Sequence, residues 1–441
     1  MFGFGKLASY DYFAHVAREL RRRFAERGLE LETHVVDVAP TASIRRRASR
    51  IAELVAATAR DDGGPIHLLG HSTGGLDSRL VASPSARLPV SQEKLAWLPR
   101  LRSVTTMNTP HYGTPLASFF ATVSGQRMLY AVSALTFIAL SLGAPPLAAA
   151  SALAVAIGQL DRAVLGMELR VIERTTEALL RALEPATSRE LRDYLDAITK
   201  DQGAVIQLTP EAMDLFQAGV EDRPGVVYQC TCAMAPAPSA RRVARAMLSP
   251  WRAVSSTLFT ALYGITSRHD ERYPCAPLES SSEVELAKAF GEAPPLRAND
   301  GVVPVRSQVW GKIVWAGAAD HLDVLGHFSS LAKDTSAGLV SRWVGRLWGQ
   351  ERGLDEVGSP AWRKARREEL RAELAVERAA RTGGTTPQPD ADARHVDWLT
   401  SGAGFDEKSF ASLMDAIAKG LIEARSTGAR PSTAFSPAGE N

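Results

Sequence analysis

The chain has 441 residues, 45% of them hydrophobic and 23% charged, which excludes a disordered polymer and leaves ample length for one large core with insertions. A formal net charge of +2 excludes the strongly basic surface that a nucleic-acid partner requires, so none is expected. Cys230, Cys232 and Cys275 lack zinc-ligand spacing. Cys275 is free to bridge either of the other two, at least one thiol stays unpaired, and the redox compartment stays open.

In chain order, Phe13, Val16, Ala17, Leu20 and Phe24 recur at helical spacing before Gly28, and residues 31–38 then read as a strand. Ile44, Ala48, Ile51, Leu54, Val55 and Ala59 repeat the helical period. The run Arg45-Arg46-Arg47 within it suits an exposed helix face better than an anion-binding surface. After Gly63-Gly64-Pro65, the apolar run 66–69 predicts a short buried strand, and residues 75–83 predict a helix stopped by Pro84.

Between that strand and that helix stands Gly70-His71-Ser72-Thr73-Gly74, a G-x-S-x-G spacing followed by Gly75. A strained strand-to-helix turn pushes the central hydroxyl outward and needs small residues on both sides, which Gly70 and Gly74 supply. The helix aims its positive end, and the Thr73 N–H, at the place where an acyl oxyanion would develop. A hydroxyl is a weak nucleophile, so Ser72 needs a base, and the base an acidic partner.

Residues 103–107 predict another strand, and residues 116–209 read as inserted helices, including 168–184 and 188–199. From Met128 to Leu160 there is no charged residue, only two apolar runs broken by Gly143-Ala144-Pro145-Pro146, each too short to span a membrane. A strand at 226–228 follows. Then come the turn Asn299-Asp300-Gly301, the strand-like 312–316 and Asp320-His321-Leu322-Asp323. Helices and strands in alternation argue for an α/β class with a mostly parallel, doubly wound sheet, and no repeat at solenoid period occurs. Residues 363–381 predict an exposed charged helix, 382–393 a linker, 405–424 an amphipathic helix, and the tail from Ser426 disorder.

The segments 70–79 (Gly-His-Ser-Thr-Gly-Gly-Leu-Asp-Ser-Arg), 107–113 (Met-Asn-Thr-Pro-His-Tyr-Gly), 208–213 (Leu-Thr-Pro-Glu-Ala-Met), Asn299-Asp300-Gly301 and His321-Leu322-Asp323 together resemble the bacterial true lipases of the α/β-hydrolase superfamily, over residues 1 to about 330. The resemblance implies an α/β-hydrolase fold with core segments 1–115 and 205–350, a helical lid at 116–204 and a C-terminal extension at 351–441. It implies Ser72 as nucleophile, His321 as general base and then acid, Asp300 as the group that orients the imidazole, and the Thr73 amide as one oxyanion donor. His327 and His395, the latter in a second His-x-Asp pattern, compete with His321, whereas His111 supports its loop, and His67 and His71 read as structural.

Similar lipases carry a structural calcium, with the aspartate two residues after the catalytic histidine as a ligand. Here that is Asp323, and Glu279, Asp270 or Glu271 would substitute for the family's second aspartate, while capping of the next helix or pairing with an arginine is an equal alternative for Asp323. The uncharged segment 128–160 fits a lid hairpin that opens against lipid, or else a buried helical subdomain. Met1-Phe2-Gly3-Phe4-Gly5 looks like the latter part of the family's oxyanion loop, which would place the second oxyanion donor at Met1 and leaves the preceding strand unaccounted for. The expectation is a start assigned too late and, without a leader, a cytoplasmic location, although similar lipases are often secreted. The activity implied is hydrolysis of lipid carboxylic esters through an acyl-serine intermediate. A phospholipid or lipid-linked glycan deacylase, and a weakly active membrane-docking scaffold, are the alternatives.

Overall fold

The computed structural model describes residues 13–39, 41–59, 62–123, 185–242, 250–328 and 399–427, together with positions 6, 7, 10, 11, 125, 126, 128, 129 and 133. Two short strands, β1 (Lys6–Leu7) and β2 (Tyr10–Asp11), pair antiparallel ahead of α1 (Ala14–Ala25). The apolar stripe of α1 buries Val16, Leu20 and Phe24 as its spacing requires. Next, α2 (Ile44–Thr58) starts at Ser43, whose hydroxyl accepts the Arg46 N–H. The chain continues through β3 (Ile66–His71), α3 (Thr73–Ala82), β4 (Leu101–Met107) and α4 (Pro115–Phe120). It resumes with α5 (Pro185–Lys200), α6 (Gly203–Gln207), α7 (Pro210–Gly219), β5 (Val227–Met234), α8 (Pro250–Thr266), α9 (Ser280–Phe290), β6 (Lys312–Ala318) and α10 (Glu407–Thr427).

The four strands β3-β4-β5-β6 form one sheet in that order, and every neighbouring pair is parallel. Parallel neighbours need crossover connections, and these lay helices on both faces. On one face Leu68 and Val104 pack with Ala48, Ile51 and Val81 of α2 and α3, and Cys230 and Cys232 pack with Leu286 of α9. On the other face Leu413, Met414, Ile417 and Leu421 of α10 join Val16, Leu20 and Phe24 of α1 in the largest core. This is the doubly wound α/β architecture that the alternation of elements predicts, with a strand–turn–helix leading from the outermost strand β3 into α3. The register sets His71 level with Met107 and Met107 level with Thr231, so the residues that follow these strands emerge side by side at one edge.

Several expectations change. The amphipathic run placed in a C-terminal extension is α10, a sheet-covering helix whose Asp415 also pairs with Arg27, just past the end of α1, at 2.7 Å. That helix runs through Ser426, the expected start of disorder, to Thr427. Of the arginine run, Arg45 and Arg46 are exposed, but Arg47 is buried and bonds Asp77 of α3 at 2.8 Å. All three cysteines are free thiols, Cys230 and Cys232 buried in the sheet. Most of the expected lid and of the uncharged segment 128–160, with helix 168–184, the charged helix 363–381 and the linker 382–393, lie outside the described residues. Among the described residues no helix is long and apolar enough to cross a membrane.

Residues 31–34 alternate between half-buried and exposed, a rhythm that breaks where Val35 and Val36 are both half-buried, and residues 31–38 belong to no ladder. Between them and β3 lies a cavity of about 500 Å³, walled also by Val16, Leu20, Ile51 and Val55. With that gap between them and β3, residues 31–38 have no ladder partner among the described residues. Backbone amides of residues 31–38 should therefore exchange with deuterium far faster than those of β4, which is bonded on both sides. Equal protection by hydrogen-exchange mass spectrometry would contradict an open gap.

Candidate active site

Ser72 sits at the junction of β3 and α3 with φ 54 and ψ −128. This left-handed conformation of a non-glycine residue is one of two among the described residues, and the other is Asn108, φ 48, directly after β4. The Ser72 N–H donates to the Met107 carbonyl at 2.8 Å, and the Gly75 N–H to the Ser72 carbonyl at 3.1 Å, so both sides of the turn are tied. A Cβ on Gly70 would stand 2.3 Å from the Gly74 backbone, and one on Gly75 would stand 2.1 Å from Thr109 Oγ1. Gly74, by contrast, has open space around its missing Cβ. The close approach in this elbow thus constrains positions 70 and 75, not 74 as the motif suggests.

The turn at Asn299-Asp300-Gly301 brings Asp300 into full burial. Its Oδ1 accepts the N–H groups of Val302 and Val303 at 2.9 and 2.7 Å. Its Oδ2 accepts His321 Nδ1 at 2.8 Å and Asn108 Nδ2 at 2.9 Å. A backbone bond from the His321 N–H to the Asp300 carbonyl, 3.0 Å, fastens the two loops again. Because Nδ1 faces a carboxylate, it carries the proton, which leaves Nε2 as the basic atom. Nε2 is buried and has no hydrogen-bond partner among the described residues. Burial, opposed by the Asp300 charge, holds the His321 pKa below the ordinary histidine value, so the ring stays neutral and ready to take a proton.

Of the competing histidines, His327 packs edge-on against His15 of α1 at 5.8 Å, while His395 lies outside the described residues. His111 is fixed by Thr106 Oγ1 at 3.1 Å and Arg79 at 3.2 Å, and stacks on Trp310. Arg79, itself buried over the Trp310 ring at 3.4 Å, has its pKa pulled down to about 10 by burial. His67 bonds Ser103 Oγ at 2.8 Å within the sheet. His71 does more than fill the core: its Nε2 donates to the His321 carbonyl at 2.9 Å, and its ring lies 4.6 Å from the His321 ring. Burial keeps its pKa well below the usual value, which suits this neutral Nε2–H form.

Neither the His71 contact nor the Asn108 contact to Asp300 is read from the sequence. The only signal was position: one residue precedes the nucleophile and the other ends the neighbouring strand with an asparagine suited to a left-handed bend.

Thr73 is the first residue of α3, so its N–H belongs to the unpaired donors of a helix start. With Ser72 it lines a narrow apolar pocket closed by Leu116, Phe120, Leu208 and Val302. Met1 lies outside the described residues. Asp323 Oδ2 accepts the Asp320 N–H at 2.9 Å, and Asp320 Oδ1 accepts the N–H groups of Leu322 and Asp323 at 2.9 and 3.1 Å. Asp270 is engaged by Arg272 at 2.6 Å. Asp323 thus caps its own turn, and among the described residues no three His, Cys, Asp or Glu side chains gather as metal ligands.

No family model and no curated protein matches the sequence. Among solved structures the chain is similar to EstA from Clostridium botulinum, with 17% identity and a TM-score of 0.40, over 74% of this chain and 81% of that one. It is similar to lipase 1 from Pelosinus fermentans, with 16% identity and a TM-score of 0.40, over 78% and 95% of the two chains. The Staphylococcus hyicus lipase gives 16% identity and a TM-score of 0.39, over 80% and 95%.

The elbow geometry separates two substitutions that the motif treats alike. Gly70→Ala should lower stability by about 1–3 kcal/mol, because a backbone must move. Gly74→Ala should leave stability unchanged or raise it by a few tenths of a kcal/mol through helix propensity. Urea denaturation of both variants checks this, and equal losses would contradict it.

Proposed function

We propose that this protein hydrolyses carboxylic esters of lipids through an acyl-serine intermediate, with Ser72, His321 and Asp300 as its triad. The observation that carries the reading is the buried pair of His321 Nδ1 and Asp300 Oδ2 at 2.8 Å, beside a serine held in a left-handed strand-to-helix turn. Structural and catalytic histidines differ in what their second nitrogen faces. Here it is an unpartnered Nε2 at the carboxyl edge of the sheet, from which Ser72 also emerges.

In the reaction, Nε2 of His321 takes the Ser72 proton as Oγ attacks the ester carbonyl, and Asp300 stabilises the imidazolium that forms. Negative charge develops on the carbonyl oxygen, where the Thr73 N–H and the start of α3 oppose it. His321 then gives its proton to the leaving alcohol. Water, deprotonated by the same nitrogen, releases the acid and restores Ser72. Leu116, Phe120 and Val302 beside Ser72 suit an acyl chain rather than a charged group. The uncharged segment 128–160 supports a lipid surface as the place of action.

Ser72→Ala, His321→Ala and Asp300→Asn should each lower kcat on a p-nitrophenyl ester by at least roughly a thousandfold while the fold is retained. Because the neutral imidazole is the working form and burial holds its pKa down, the wild-type rate should fall with acid only below the ordinary histidine value of 6.5. Full activity in folded His321→Ala would overturn the assignment.

A further inference from the structure

Asn108 has two costs that a simpler residue would avoid. Its backbone is left-handed without being glycine, and its side-chain Oδ1 is buried with no hydrogen-bond partner among the described residues. Glycine at this position would adopt the bend freely and would bring no orphaned carbonyl. What asparagine adds is the other half of the amide. Nδ2 lies 2.9 Å from Asp300 Oδ2, and since a carboxylate only accepts, the amide must present its N–H there.

The same oxygen accepts His321 Nδ1 at 2.8 Å, while Oδ1 is held by two backbone N–H groups. Among the described residues Asn108 is thus the one side chain, apart from His321, bonded to this carboxylate. It closes the coordination of Oδ2 and prevents the carboxylate from turning in its plane. Its own N–H donates to the Thr231 carbonyl at 3.3 Å, and the residue before it, Met107, accepts the Ser72 N–H. One dipeptide at the end of β4 therefore touches both the nucleophile's turn and the acid.

We propose that Asn108 is a positioning residue, which sets the Asp300 carboxylate for its bond to His321 and moderates the charge that bond feels. The assignment rests on the triad reading given above. A donor on Oδ2 draws off negative charge, so its removal leaves a more basic carboxylate, a better-stabilised imidazolium and a looser geometry.

The test compares wild type with Asn108→Gly and Asn108→Asp, by ester kinetics and by NMR titration of His321. For Asn108→Gly, kcat should fall roughly tenfold with KM little changed, and the His321 titration should move to higher pH. Asn108→Asp keeps the side-chain volume but sets a second carboxyl against Oδ2, where the two must share a proton, and it should lower kcat and displace the His321 titration. A merely structural role would lower stability without moving the titration. Unchanged kcat and unchanged titration in either folded variant overturn the proposal, and Asn108→Asp decides it if Asn108→Gly fails to fold. If wild type hydrolyses no ester, the triad reading fails by itself, and the titration of His321 still judges the hold on Asp300.

Discussion

The site depends on one buried carboxylate. Asp300 is fully enclosed, and a carboxylate out of water is tolerated only when its oxygens are satisfied. Four donors do so, from three places: Asn108 after β4, the turn at Val302 and Val303, and His321 after β6. The same bonds that make burial affordable tie three loops to one point. Removing any one donor leaves charge uncompensated, which explains why the carboxyl edge of the sheet holds its geometry although each loop is irregular.

Strain collects at that edge and nowhere else among the described residues. The two left-handed non-glycine residues, Ser72 and Asn108, follow adjacent parallel strands and are linked by the bond from the Ser72 N–H to the Met107 carbonyl. Each such conformation costs on the order of 1–3 kcal/mol, and the close packing of Gly70 on Gly74 and of Gly75 on Thr109 restrains the first of them. Helices on both faces, joined through Leu68, Val104 and the stripe of α10, keep the strand ends in register. The core supplies the rigidity that a strained turn requires.

Periodicity made the helices α1 and α2 legible, and apolar runs bounded by glycine and proline made β3, β4 and β6 so. The G-x-S-x-G spacing pointed to Ser72, the resemblance to known lipases pointed to Asp300 and His321, and the structure bonds the last two to each other. Other features were hidden for physical reasons. Whether residues 31–38 pair depends on a neighbouring strand, which no local pattern reveals. The burial of Arg47 is decided by Asp77 on another helix, and the value of α10 by the sheet face it covers, both long-range contacts. Asn108 and His71 act through hydrogen bonds to residues roughly two hundred or more positions away, and composition carries no trace of those.

The central claim is that Ser72 is a nucleophile made reactive by His321. Peptide mapping by mass spectrometry after treatment with a fluorophosphonate tests it directly, because the reagent reacts with an activated serine and leaves ordinary hydroxyls untouched. One adduct per chain is predicted, on the peptide containing Ser72, and it should be lost in folded His321→Ala. An adduct on another residue, no adduct at all, or undiminished labelling of Ser72 without His321 would contradict the account.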